Sequence, residues 1–207
     1  MLATAPTLGI LKARHGDDAA GAYQALAYGE RLRLNDVTVW LAPAGHVLGS
    51  AQAVLEWRGQ RIVVSGDYKR RPDPTCPPFE VVTCDVFVTE ATFGLPVFRH
   101  PPDQGEIARL LHSLRVFPES CHIVGAYSLG KAQRVIGLLR QAGWERPIFL
   151  HGAMERLCQL YQSFGVELGW LRPANKDAGA LPGEIVLAPP SAVADRWARR
   201  FAEPVTA

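Results

Sequence analysis

Long apolar runs are missing. No stretch of the 207 residues reaches the ~18 apolar positions that a bilayer-spanning helix requires, so no membrane span is expected. The first residues lack a basic start followed by an apolar core, which speaks against a secretory signal. Cysteine is sparse and scattered. Cys76, Cys84, Cys121 and Cys158 form no C-x-x-C pair, and buried or inert thiols in a reducing cytoplasm are the expectation. Neither sign of charge dominates. A net charge of +2 gives no global argument for nucleic acid, so any basic binding surface has to be local. Histidine is thin as well: only His15 precedes His46, and none follows His151. Repeats and low-complexity tracts are absent. What remains, 48% hydrophobic and 20% charged, fits a globular protein of one domain or two small ones.

The chain is organised around two landmarks, Ala44-Gly45-His46-Val47-Leu48-Gly49-Ser50-Ala51 and Val63-Val64-Ser65-Gly66-Asp67-Tyr68. His46 follows the apolar run 37–42, and Asp67 follows a second β-rich run, 61–64. An imidazole and a carboxylate delivered from neighbouring strand ends suit hard or borderline divalent metals such as Zn²⁺ or Mn²⁺. A catalytic zinc takes more protein ligands than one His and one Asp. By spacing alone, His46 reads equally as a loop histidine bonded to backbone and Asp67 as a turn carboxylate after Gly66. Lys69-Arg70-Arg71 comes next, either a phosphate contact beside a cleft or a solvated loop. Residues 84–90 read as a buried strand ending in the carboxylate of Glu90.

Before these landmarks, Pro6 to Arg14 reads as a helix with Thr4 as cap and Gly16 as stop, and with no strand ahead of it. His15 reads as a surface residue. A boundary falls between Gly94 and Pro102, after which helices and strands alternate. Asp103 is expected to cap a helix over 104–114, with further helices over 131–142 and 153–164. Strands are expected at 121–126, 147–150 and 185–188, an alternation that implies a parallel sheet. Tyr127-Ser128-Leu129-Gly130-Lys131 lies between strand and helix. It is not a Walker A loop, and Ser128 and Lys131 are candidates for a phosphate as much as for a plain cap. His151 reads as a cap or turn residue.

The segments 44–51 and 65–68 resemble the third and fourth metal motifs of the metallo-β-lactamase superfamily, in its nucleic-acid-processing β-CASP branch. Val88-Thr89-Glu90-Ala91-Thr92-Phe93-Gly94 resembles the acidic motif of that branch, and Ser128 to Gln133 resembles a segment opening a helix in its inserted domain. The likeness is strongest to bacterial ligase-associated DNA exonucleases and runs through nearly all of the chain.

The resemblance implies a mixed α/β fold: a partial metallo-β-lactamase αββα sandwich over 1–100, then a truncated β-CASP-type α/β domain over 101–207. It implies His46 and Asp67 as metal ligands, Asp67 as a bridge between two divalent ions, and Glu90 as a carboxylate near them. Nucleic acid, DNA foremost, is the implied substrate, with a DNA ligase or helicase as implied repair partners. Two family features are absent: an H-x-H-x-D-H motif upstream and further histidines late in the chain. The expectation is therefore the central part of a longer nuclease, cut at both ends and inactive alone. The alternative is a non-catalytic α/β module that binds nucleic acid or a partner. An RNA-processing nuclease or a small-molecule hydrolase of the same superfamily is a further alternative.

Overall fold

The computed structural model describes residues 1–175, 180–201 and 203–207. The chain forms two compact units, Met1–Arg99 and His100–Ala207.

In the first unit, strand β1 (Leu2–Ala3) precedes helix α1 (Ala5–His15) and pairs in parallel with β2 (Gln24–Ala25). The expectation of a helix with no preceding strand is corrected here; two residues are too few to leave a periodic signal. Thr4 caps α1, its Oγ1 accepting from Thr7 N at 3.3 Å, and Gly16 ends it at φ 92°. A five-stranded sheet follows in the order β3 (Leu32–Leu34), β4 (Val37–Pro43), β5 (Ala51–Trp57), β6 (Gln60–Val64), β7 (Val86–Val88). β3 to β6 form an antiparallel meander, and β7 joins β6 in parallel. The β5–β6 turn is tight because Arg58 and Gly59 both take positive φ. Register puts Trp40 opposite Val54 and Val54 opposite Val63, so one cross-strand row makes the core, with Ala42 beside it.

The expectation of a buried strand over 84–90 fails. Only Val86–Val88 is strand, and all three side chains are exposed. β7 is the last strand of its sheet, so its outer edge has no neighbouring strand in that sheet. An apolar run carries no periodicity that would separate such an edge from a core strand.

The second unit is an open parallel sheet in the order β10 (Leu171–Pro173), β9 (Ile148–Leu150), β11 (Ile185–Ala188), β8 (His122–Gly125), β12 (Val205–Thr206). All four pairings are parallel. Helices α2 (Asp103–Val116), α3 (Lys131–Gln141) and α4 (Gly152–Ser163) supply buried faces through Ile107, Ile136, Leu139 and Met154. The short helix α5 (Pro190–Val193) packs on the Ile123–Val186 face, with Phe201 completing that core. Asp103 is not the cap of α2. Pro102 holds that position, while the Asp103 carboxylate binds the guanidinium of Arg134 on α3. Among the described residues no helix is long and apolar enough to cross a membrane.

Candidate functional site

Two glycines decide where His46 stands. Gly45 has φ 68°, and a Cβ there would lie 2.4 Å from Lys69 O and 2.8 Å from Phe79 N. Gly49 has φ 79°, and its Cβ would fall 2.7 Å from both Thr4 Oγ1 and Thr7 N. Left-handed backbone and the lack of room both call for glycine. The β4–β5 loop is thereby pressed against the segment after β6 on one side and the start of α1 on the other. Gly49 O accepts from Thr4 Oγ1 at 2.7 Å and from Thr7 Oγ1 at 2.8 Å. Within the loop, Ser50 Oγ accepts from His46 N at 3.0 Å and Val47 N at 3.1 Å.

Asp67 leaves the end of β6 through buried Ser65 and Gly66, which has φ 56°. Because β6 and β7 are parallel and Val64 pairs with Val88, Glu90 leaves the sheet at the same end. β4 runs antiparallel to β5 and β5 to β6, so the loop carrying His46 lies at that end too. His46 Nε2 is 4.0 Å from Asp67 Oδ2, and the two side chains are 43% and 74% exposed. Two donors bound to one zinc at ~2.0–2.2 Å stand roughly 3.5 Å apart, so a small rotation lets this pair share an ion. Among the described residues no group of three His, Cys, Asp or Glu side chains is placed to hold a metal. The residues fit part of a divalent site and do not complete one.

The Glu90 carboxylate accepts from Thr92 N at 2.7 Å. That bond, with the Thr92 side chain and the charge of His46 acting the same way, holds its pKa below the usual carboxylate value. Glu90 is thus ionised, half-buried and within electrostatic reach of His46.

Lys69 is committed inside the loop. Its ammonium is bound by the Asp73 carboxylate and donates to His46 O at 3.4 Å. Asp73 is only 2% exposed in its side chain, and its other oxygen accepts from Thr75 N at 2.9 Å and Thr75 Oγ1 at 2.6 Å. Arg70 is exposed and Arg71 half-buried. Thr4, Thr7, Ser50 and Asp73 position this site, and sequence reasoning missed them. The hydroxyl directly after Gly49 was the one local signal.

In the second unit, Ser128 and Lys131 lie where β8 passes into α3. Ser128 does not cap the helix. Gly130 holds that position, and buried Gln133 does the work, accepting from Gly130 N at 2.7 Å and donating to Ser128 O at 2.9 Å. Lys131 is exposed, its Nζ 5.9 Å from the centre of the Tyr127 ring. His151 caps α4, its Nδ1 accepting from Ala153 N at 3.1 Å. Burial pushes the Cys121 thiol up to about 12 and the Cys158 thiol up to about 11, which leaves both unreactive.

A meander that gathers His46, Asp67 and Glu90 at one end, followed by an open parallel sheet, defines a mixed α/β protein. The chain matches no protein-family model. It is 30% identical over 207 residues to a probable DNA ligase of Opitutus terrae, covering 97% of this chain and 20% of that protein. It is 31% identical over 144 residues to the endoribonuclease ysh1 of Aspergillus fumigatus, covering 63% of this chain and 16% of that protein. The chain therefore spans a fifth or less of the length of these curated relatives. A crystal structure of a protein of unknown function from Enterococcus faecalis shares the fold, with a TM-score of 0.61 at 12% identity over 90% of this chain and 52% of that one. The chain belongs to the metallo-β-lactamase superfamily, in its β-CASP branch.

Proposed function

We propose that this chain is the central part of a metal-dependent nuclease that hydrolyses phosphodiester bonds. The observation that carries this reading is the His46–Asp67 pair, 4.0 Å apart, with His46 on a loop that calls for glycine at 45 and 49. When bound there, divalent ions supply a nucleophilic hydroxide near neutral pH and stabilise charge on the displaced oxygen. His46 and Asp67 are the residues that would hold an ion, Zn²⁺ or Mn²⁺, and further ligands come from outside the described residues. In the two-ion site that the family resemblance implies, Asp67 is the bridging carboxylate. Glu90 is a positioning or proton-handling carboxylate. Arg70, Arg71, Ser128 and Lys131 are phosphate contacts, and Lys69 takes part through the loop it braces.

The finer reading is a DNA exonuclease acting in repair, in a cytoplasmic setting, with a ligase or helicase as partner. The printed name of the Opitutus relative, a probable DNA ligase, supports it. That of the ysh1 relative supports RNA as the alternative substrate. The second reading is a non-catalytic nucleic-acid-binding module. It is favoured by the lack, among the described residues, of a third ligand for the pair.

A chimera tests the choice. The matched segment of the Opitutus relative is replaced by this chain, and labelled single-stranded DNA and RNA are offered with Mn²⁺ or Zn²⁺, with the parent relative as control. The expected result is cleavage by parent and chimera alike, abolished by chelation and by Asp67→Ala. Cleavage by the parent alone, from a folded chimera, would sink the nuclease reading in favour of the binding module.

A further inference from the structure

The parallel sheet of the second unit has a switch point. From β8 the chain crosses through α3 to β9, on the far side of β11. From β11 it crosses through α5 to β12, on the far side of β8. The two neighbouring strands thus send their connections in opposite directions. In open α/β sheets, the crevice beyond the carboxyl ends of such a strand pair is where ligands seat. Tyr127 stands there, two residues past the end of β8.

The backbone around Tyr127 is tied on every side. Gly125 N donates to Ala207 O at 2.7 Å, Ala126 N to Ala188 O at 2.9 Å, and Ala132 N to Tyr127 O at 3.1 Å. Gln133 braces the next turn through Gly130 and Ser128. Ala126, one residue earlier, is buried, yet Tyr127 is 69% exposed. The other large exposed aromatics of this unit, Phe117, Phe164 and Trp170, all stand ahead of β8 or β10, at the amino ends of strands. Among the described residues, Tyr127 is the exposed large aromatic at the carboxyl end.

Its neighbour Lys131 is the first residue of α3, at the positive end of the helix dipole, where a cation is disfavoured. The first turn holds no acid to offset it. Arg134, one turn on, is already paired with Asp103. An aromatic ring on a tied backbone, with a cation over one face 5.9 Å from its centre and no acid in the helix's first turn, complements a base on its other face followed by a phosphate.

We propose that Tyr127 and Lys131 form a subsite for one unpaired nucleotide, its base stacked on the Tyr127 ring and its phosphate against the Lys131 ammonium. The proposal rests on the nucleic-acid reading above and narrows it to single strands.

Fluorescence anisotropy of the 207-residue chain tests it. The probes are labelled oligo-dT, oligo-U and an abasic strand of equal length. Wild type is expected to prefer base-bearing strands over the abasic one. Tyr127→Ala should weaken base-bearing strands about tenfold and erase that preference, whereas Tyr127→Trp and Tyr127→Phe keep it. Lys131→Ala should weaken all strands alike and lower the salt slope by about 0.7. Circular dichroism melts of Tyr127→Ala should match wild type, because the ring is exposed. Undiminished binding by Tyr127→Ala, with the base preference intact, overturns the subsite and leaves the nucleic-acid reading standing. No binding of any strand by the wild-type chain at low salt overturns both.

Discussion

Gly45 and Lys69 meet backbone to backbone: a Cβ on Gly45 would stand 2.4 Å from the Lys69 carbonyl oxygen. That approach brings the loop bearing His46 against the segment that follows Asp67. Gly45→Ala has to displace backbone rather than a flexible side-chain end, and it also strains a residue at φ 68°. A loss of about 2–3 kcal/mol is expected in urea denaturation. A shift below ~0.5 kcal/mol would mean that the loop moves freely and does not fix His46.

The His46–Asp67 pair is open to solvent, so its removal should separate binding from folding. Asp67→Ala is expected to change stability by less than ~0.5 kcal/mol. In a Mn²⁺ or Zn²⁺ titration the same change should lower ion affinity by at least about tenfold, and His46→Ala should do likewise. Equal, substantial ion uptake by wild type and both variants in elemental analysis would place the metal elsewhere.

Asp73 is the hidden support of the site. Its buried carboxylate holds Lys69 and both donors of Thr75. Asp73→Ala leaves a largely buried ammonium without its partner, at a cost of about 2–3 kcal/mol. Lys69→Met with Asp73→Leu removes both charges and should recover part of that loss. A single Asp73→Ala no less stable than this double variant would show that the pair adds nothing.

The two landmarks and the strands that deliver them were legible because they depend on neighbours in the chain. Strands β4, β5 and β6 follow apolar periodicity and a turn at Arg58-Gly59, and α1, α3 and α4 end close to their glycines. The parallel sheet was legible from alternation, although β10 and β12, with three and two residues, are too short to leave a pattern. The supports of the site were not legible, because they join residues far apart in sequence. Thr4 meets Gly49 across 45 positions, and Lys69 meets His46 across 23. Ser128 misled for a local reason: a hydroxyl before a helix suggests a cap, but glutamine at 133 reaches back and takes the role.

His151 gives a pH-dependent test of the second unit. Burial, and after it the charge of Arg200, lowers its pKa from the ordinary 6.5, while Glu155 opposes the shift. Its Nδ1 must also be unprotonated to accept from Ala153 N. A base with a depressed folded-state pKa binds protons more readily when unfolded. Its contribution to stability is therefore complete above 6.5 and is lost as pH falls through the folded-state value. Urea midpoints of wild type should fall as pH drops below that point. His151→Asn retains a capping oxygen without a titrating group, so it should keep near-wild-type stability at pH about 7.5 and lose less on acidification. His151→Ala should cost about 1 kcal/mol at neutral pH, less at low pH. Parallel pH profiles for wild type and His151→Asn would show that the imidazole proton plays no part in holding the start of α4.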